Sequence, residues 1–254
     1  MTALIAAYPE RGSGNNGRAR MTGTVIGDWH TDVVSASGTV RTAAEGVWRW
    51  IRSAPGTYLW LVALGVTTAI QQGLSPEEAR IWLGHRSTNL DHLGDDPIRV
   101  LIGSAFWTDG GGWLVYAVLF SLVHANAERW LGTLRWLAVV VLAHVGATYL
   151  SQGLLLWAIR HDEAPERAAF ALDVGVSYGL AGVAAVLAYR VVLPWRVPYV
   201  LGVLLVCLPP VFVYRTFTDV GHAGAALIGF ACYPLTRGRG SGWASGLRGW
   251  EDDR

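Results

Sequence analysis

Six apolar segments constrain the fold of this chain more than any other feature. Each contains between 15 and 24 residues, close to the roughly 20 residues with which an α-helix crosses about 30 Å of hydrocarbon. They comprise residues 57–71, 112–131, 134–157, 168–188, 197–213 and 219–235. Hydrophobic residues make up 52% of the 254 residues and charged residues only 15%, which disfavours a water-soluble domain. The sequence therefore predicts an all-α membrane protein with a bundle of six transmembrane helices over residues 56–236.

The distribution of arginine predicts how these helices are oriented. All 20 basic residues are arginine, and 14 of them lie before the first segment, after the sixth, or in or beside the links between the second and third and the fourth and fifth. Short arginine-rich loops stay on the cytoplasmic side of a membrane. Residues 1–55 are therefore predicted to form a mostly disordered cytoplasmic tail, and residues 237–254 a second one. Both termini would face the cytoplasm, with the plasma membrane as the expected location.

Several classes of ligand are not expected. The formal net charge of +1 provides no basic field for nucleic acid, so the lipid bilayer and transmembrane protein substrates or clients are the predicted partners. Cys207 and Cys232 lie in apolar segments and are predicted to be small buried hydrophobes. A metal site would require His124, His144 and His222 to converge from three helices, so neither a metal nor another cofactor is predicted.

The link between the first two segments, residues 72–111, is long and rich in apolar residues. Long structureless loops are uncommon, and apolar side chains in tandem favour a membrane interface. We expect this first external loop to fold as short amphipathic helices on the outer face, with a solvated surface around His85, His92 and Asp95.

Polar side chains inside the apolar segments are candidates for a function or a specific contact, because inserting a charged side chain into hydrocarbon costs a free energy on the order of 3 kcal/mol. Asp173 and Ser177 lie four residues apart in the fourth segment, which predicts that they share one helical face. His222 lies in the sixth segment among equally small residues, so the two helices are predicted to pack closely. A serine hydroxyl within about 2.6–3.2 Å of an imidazole would form a nucleophile and its general base.

Two further polar groups are predicted to be structural. His124, Asn126 and Glu128 would cap the end of the second helix and pair with Arg129 or Arg135. In the third segment, polar residues spaced three or four apart predict a stripe that forms hydrogen bonds between helices: His144, Thr148, Ser151 and Gln152.

With these motifs, the sequence resembles the rhomboid intramembrane serine proteases and their rhomboid-like relatives. Three motifs carry the resemblance: Gly175-Val-Ser177-Tyr-Gly179 for the nucleophile, Asp219-Val-Gly-His222 for the histidine, and Glu128-x-x-x-Gly132 at the end of the second helix. The resemblance implies six helices with both ends cytoplasmic, and cleavage of transmembrane substrates by a dyad of Ser177 and His222.

The resemblance also suggests an oxyanion-binding shell. Proteolytic members carry a His-x-x-x-Asn pair at the positions that Gly112 and Tyr116 occupy here. The backbone N–H of Ser177 and the Tyr116 hydroxyl are therefore the candidate donors. Residues beside the nucleophile are possible supporting groups: Asp173, Gly175 and Tyr178.

Two other functions stay open from the sequence. One is a catalytically silent rhomboid-like protein that binds or escorts other membrane proteins. The other is a small transporter in which Asp173 and His222 relay protons. Whether Ser177 and His222 face one another across a hydrated cavity distinguishes the protease from the silent protein.

Overall fold

A computed structural model describes residues 41–42, 44–108, 112–174 and 176–240. The chain divides into two compact units, Met1–Val47 and Trp48–Arg254. In the first, residues 1–40 of the predicted tail lie outside the described residues, and Arg41 forms an exposed ion pair with Glu45. Residues 44–52, within the predicted tail, are helical. Residues 241–254 also lie outside the described residues.

The described part of the chain is helical, and each of the six apolar segments contains a helix. The α-helices are α1 Ala44–Arg52, α2 Pro55–Gln72, α3 Pro76–Gly84, α4 Leu90–Asp95, α5 Pro97–Ser104, α6 Trp113–Leu119, α7 Ala125–Leu131, α8 Thr133–Arg160, α9 Val176–Val186, α10 Arg196–Cys207, α11 Pro209–Val213 and α12 Phe217–Ala231. A π-helical turn, Phe120–His124, joins α6 to α7, and short 3₁₀ turns precede and follow α9.

Two helices of the described residues are long and apolar enough to cross a membrane by length and composition, Thr133–Arg160 and Arg196–Val213. The count becomes three if Pro55–Gln72 is taken together with the short helix before it. The other apolar segments are shorter or are interrupted, as where α9 contains 11 residues. Six transmembrane crossings therefore stay a prediction.

The centre of the bundle consists of α8, α9 and α12. Glycine permits this packing: a Cβ at Gly229 of α12 would overlap the backbone of Gly182 in α9. On Gly182 itself, a Cβ would overlap Ala143 of α8. The prediction that the fourth and sixth segments pack closely through small residues is confirmed.

Three short helices lie between α2 and α6, and side chains determine where they begin. Ser75 and Glu78 form a capping box before α3, in which Pro76 takes the first position. Asn89 caps α4, and its side chain accepts a hydrogen bond from the His92 backbone N–H at 3.0 Å. Polar residues of this region therefore cap helices as well as contact solvent.

The fourth apolar segment differs from its prediction. Residues 171–174 are not helical, and α9 begins only at Val176. The prediction that Asp173 and Ser177 share one helical face is therefore wrong. The physical reason lies in the backbone of Asp173, whose carbonyl accepts from the Thr88 N–H at 2.9 Å and whose N–H donates to the Ser87 hydroxyl at 2.7 Å.

Candidate functional site

Ser177 lies in the first turn of α9, one residue after the helix begins. Backbone N–H groups in a first turn have no partner within their own helix, so the Ser177 N–H has the geometry of an anion donor. Its side chain is half-buried and lines two cavities of different character.

The larger cavity, which we call the apolar groove, has a volume of about 700 Å³. Ser177, Asp219 and His222 are its main polar groups. Its walls come from the end of α6 and its π-helical turn, α9, α10 and α12, and are mostly aliphatic: Leu119, Val123, Leu180, Ala181, Val203 and Val206. The groove can therefore accept an apolar chain beside a hydroxyl and an imidazole.

The smaller cavity, which we call the polar cavity, has a volume of about 190 Å³. Ser177, Asp173 and Thr218 contribute to its lining, together with Tyr116 and Trp107. Tyr116, selected from sequence as a possible oxyanion donor, thus lies on the same cavity wall as Ser177. Gly112, at the other substituted position, precedes α6 as its N-cap.

His222 lies on α12, whose start is held by a capping box. The Thr216 hydroxyl donates to the Asp219 carboxylate at 2.6 Å and accepts from the Asp219 N–H at 3.2 Å. His222 follows three residues after Asp219, which places both side chains on one side of the helix, and both line the apolar groove.

The Tyr178 ring packs against His222. Their ring centroids are 5.1 Å apart with an interplanar angle of 72°, an edge-to-face arrangement. A Cβ on Gly221 would overlap the Tyr178 ring, so this contact depends on glycine at that position. Tyr178 therefore holds the imidazole from one side.

Asp173 holds Tyr178 in turn. The Asp173 carboxylate is 2% exposed and accepts from the Tyr178 hydroxyl at 2.9 Å and from the Gln152 amide at 3.0 Å. The Asp173 backbone is also hydrogen-bonded to Ser87 and Thr88, in the segment between α3 and α4. The hydrogen bonds of Asp173 therefore connect that segment to α8 and to α9, which carries the tyrosine ring beside His222.

Ser177 and His222 share the apolar groove, but within the described residues no hydrogen bond joins them. The predicted separation of 2.6–3.2 Å therefore stays a prediction for the catalytic arrangement. Gly175, the remaining possible supporting residue, lies outside the described residues.

The predicted polar stripe on α8 forms the expected contacts at His144 and Gln152, whereas Ser151 donates to the Thr148 carbonyl of its own helix. Its four members are buried, and Gln152 reaches Asp173 as described above. His144 Nε2 lies 2.8 Å from the Leu101 carbonyl oxygen of α5. The prediction of hydrogen bonds to neighbouring segments is therefore confirmed for His144 and Gln152 only.

The prediction for the end of the second helix is wrong. Glu128 forms no ion pair with Arg129 or Arg135 among the described contacts; four uncharged donors surround it instead. They are the N–H groups of Gly56 and Thr57 and the hydroxyls of Thr57 and Thr133, at 2.7–2.9 Å. His124 does not cap the helix either, since its Nδ1 accepts from the Trp136 indole at 3.1 Å.

Sequence reasoning missed Ser87 and Thr88, which are fully buried and bond to the Asp173 backbone. They occur in an unremarkable polar stretch 85 residues or more before Asp173, so no local pattern points to the contact. Nearby, Arg86 stacks over Trp82 and Trp107, the latter also lining the polar cavity. Partial burial, with the charge of Arg99, lowers the pKa of Arg86.

The described residues contain no group of three or more histidine, cysteine or carboxylate side chains arranged to hold a metal ion. Both cysteines are buried and free, Cys207 beside the apolar groove and Cys232 in the core. The two cavities present a hydroxyl, an imidazole and a buried carboxylate.

No curated protein and no solved structure matches this chain. The family model for rhomboid-like proteins, in contrast, matches residues 49–242, more than three quarters of the chain. The matched region includes Ser177, His222 and every helix that lines the two cavities. The chain therefore belongs to the rhomboid-like protein family and is an integral membrane protein.

Proposed function

We propose that this protein is an intramembrane serine protease in which Ser177 is the nucleophile and His222 the general base and acid. One observation carries the proposal: Ser177 lines both the apolar groove, which it shares with His222, and the polar cavity. A hydrolase in a membrane needs an apolar and a polar cavity at its nucleophile, because both an apolar substrate and a water molecule must reach the serine hydroxyl.

The reaction proceeds in two steps. Ser177 Oγ attacks the scissile carbonyl carbon while His222 takes the hydroxyl proton, and the intermediate collapses as His222 gives that proton to the leaving amine. Water then attacks the acyl-enzyme, losing a proton to His222, which returns it to Ser177 Oγ. The products are a new carboxylate and a new amine.

The substrate class follows from the groove. Its lining is mostly apolar, with Ser177, Asp219 and His222 as the main polar groups, so a transmembrane segment is the substrate that fits its chemistry. The N–H of Ser177 and the Tyr116 hydroxyl are proposed to bind the oxyanion. Asp173 and Tyr178 are proposed to position the imidazole and do not act on the substrate.

The proposed orientation places both termini in the cytoplasm and the polar cavity toward the outside. It rests on the arginine distribution and on hydrogen bonds that gather arginine-rich segments at one end of the bundle, such as those from Arg129 to Ser53 and from Arg135 to the Leu235 carbonyl.

A serine-reactive fluorophosphonate tests the proposal on purified protein in lipid. We expect covalent labelling that is absent in Ser177→Ala and falls about 10²- to 10⁴-fold in rate in His222→Ala, since general-base catalysis contributes that much. Ser121→Ala is the matched control, because Ser121 lies in the π-helical turn and lines neither cavity. It should label as the wild type does.

A second function, binding or escorting membrane proteins without cleavage, is favoured by one observation. Within the described residues, Ser177 and His222 share the apolar groove but no hydrogen bond joins them. Absence of labelling in the wild type, with a transmembrane segment still captured equally by wild type and Ser177→Ala, would replace the protease with this function.

A further inference from the structure

Arg86 lies between α3 and α4, in the segment that holds Asp173. The next two residues, Ser87 and Thr88, are fully buried and bonded to the Asp173 backbone. The backbone N–H of Arg86 donates to the Leu83 carbonyl at 3.0 Å. Hydrogen bonds on both sides of Arg86 therefore fix its backbone relative to the candidate site.

Two tryptophan rings hold the guanidinium group of Arg86. The central carbon of the group is 4.2 Å from the Trp82 ring centroid and 4.8 Å from the Trp107 ring centroid, and the two rings are inclined to one another by 51°. Nη1 also donates to the Trp82 carbonyl at 3.1 Å. A guanidinium oriented in this way loses less conformational freedom when it binds a ligand.

The charge of Arg86 has no counter-ion within the described residues. Two ion pairs join described residues, and neither includes Arg86, whereas Arg80 of the same loop pairs with Glu77 at 2.7 Å. Partial burial and the charge of Arg99, another cation, lower the pKa of Arg86. Its described hydrogen bond uses Nη1, and the side chain is partly exposed. The edge formed by Nε and Nη2 is the geometry with which arginine binds a carboxylate through two hydrogen bonds.

Trp107 connects this arginine to the polar cavity. Its ring contacts the Arg86 guanidinium, and the same residue lines the cavity together with Ser177 and Asp173. Trp107 is only 6% exposed, so it forms a wall between the two. Arg86 thus lies one indole ring away from the cavity that Ser177 lines.

The charge of the surrounding loop favours a single acidic side chain over an anionic lipid surface. Residues 72–108 contain five aspartates and glutamates but only three arginines. A loop with an excess of carboxylates does not attract the surface of an anionic bilayer, which recognises clusters of basic residues. One carboxylate on a flexible chain can reach one arginine in such a loop.

We propose that Arg86 is a specificity-determining residue that binds an acidic side chain of the substrate on the water-exposed side of the scissile bond. This inference rests on the proposed function, because it takes the substrate to pass Ser177. The transmembrane segment lies in the apolar groove, and the chain beyond the scissile bond continues past Trp107. Nε and Nη2 then donate to the carboxylate, while Trp82 and Trp107 keep the guanidinium in place.

Binding of paired peptides to Ser177→Ala in detergent micelles tests this contact without requiring cleavage. Each labelled peptide has a leucine–alanine segment of about 20 residues, and the members of a pair differ only by aspartate or asparagine at one end of it. One pair is made for each end. We expect fluorescence anisotropy to show about fivefold tighter binding of the aspartate peptide in one of the two pairs, as for the stronger exposed ion pairs. The difference should shrink as the ionic strength rises.

Two further variants in the same background identify the arginine. Arg86→Gln should remove the preference for aspartate, and Arg86→Glu should instead prefer a peptide with lysine at that end. Arg80→Gln is the matched control, because Arg80 lies in the same loop and is already paired with Glu77, so it should keep the preference. Equal binding of aspartate and asparagine in both pairs by protein that retains Arg86 would overturn the inference. A preference kept in Arg86→Gln, or lost equally in Arg80→Gln, would do the same.

The peptide comparison also separates this inference from the protease itself. Fluorophosphonate labelling of the wild type needs no peptide, so labelling without a preference for aspartate would reject the acidic contact alone. A preference without labelling would support the contact for a client that is bound and not cleaved. Loss of the preference on adding phosphatidylglycerol, but not phosphatidylcholine, would identify a lipid headgroup as the occupant of Arg86 and would overturn the inference. The asparagine comparison and the salt dependence use protein with Arg86 intact and so do not depend on the folding of the Arg86 variants.

Discussion

At the scale of single residues, Glu128 shows how a buried carboxylate can stabilise the bundle without an ion pair. Glu128 lies on α7, and its two carboxylate oxygens accept four hydrogen bonds from residues in the first turns of α2 and α8. A carboxylate has acceptor sites for all four donors, so none of them is left unsatisfied in an apolar environment. Glu128 therefore ties together the ends of three helices.

Replacing Glu128 by glutamine tests this role. Glu128→Gln removes the charge and turns one acceptor oxygen into a donor that faces other donors, so we expect a loss of about 1.5–3 kcal/mol in the free energy of unfolding. Reversible unfolding in mixed micelles provides the measurement. Glu163→Gln is the control, because Glu163 is exposed, and its stability should change by less than about 0.5 kcal/mol. A change in Glu128→Gln as small as in the control would contradict the assignment.

Residue types and spacing identified the groups of the candidate site but not all of their contacts. Ser177 and His222 could be selected because polar side chains are costly in apolar helices. The partners of Asp173 could not, because Gln152 and Tyr178 compete with every other donor in the bundle for one carboxylate. Which donor reaches it depends on how the helices cross, and periodicity does not contain that information.

At the scale of helices, glycine determines how closely α9 and α12 approach. The backbone of Gly182 occupies the space into which a Cβ on Gly229 would project. Removing that side chain lets the two helices contact through backbone atoms, as small residues do in membrane bundles. The position of His222 near Ser177 depends on this contact, because the two residues lie on the same two helices.

Gly229→Ala and Gly153→Ala make a matched pair for this packing. The added methyl in Gly229→Ala must displace α9, and we expect a loss of about 1–3 kcal/mol in the free energy of unfolding. Gly153 lies inside α8 with no atom near the position of a Cβ, so alanine there should be neutral or should stabilise by up to about 1 kcal/mol. Thermal unfolding of the two variants beside the wild type checks both signs. Equal effects would show that close approach is not what Gly229 provides.

Helix positions followed from the sequence more fully than helix boundaries. The six apolar runs each contain a helix because apolar residues in such numbers have to be buried or face lipid. The prediction for the fourth run is wrong at its start, where residues 171–174 are not helical. Ser87 and Thr88 supply the hydrogen bonds that a helix would otherwise have provided to Asp173, and such long-range partners have no signature in a single sequence.

At the scale of the whole molecule, charge and polarity divide along the bundle. One end gathers the arginines of the 190–196 loop and its neighbours, whereas the links 72–111 and 161–167 carry nine of the 12 aspartates and glutamates in residues 56–236. The polar cavity lies beside the segment that Ser87 and Thr88 hold, and thus near one of the acidic links. If the arginine-rich end is cytoplasmic, the polar cavity therefore opens to the outside, and water reaches Ser177 from there.

Reporter fusions test this orientation in cells. The arginine distribution predicts that a reporter fused after Arg254 is cytoplasmic and that one inserted near Asp95 is outside, because arginine-rich links are retained on the inner side. A third reporter inserted at Asp162, in the link between α8 and α9, should give the same signal as the one near Asp95 and serves as an internal control. Cytoplasmic signals at both Asp95 and Arg254 would overturn the orientation, because an odd number of helices could not then separate them. With opposite signals, the polar cavity opens to the outside, and water for hydrolysis enters from there.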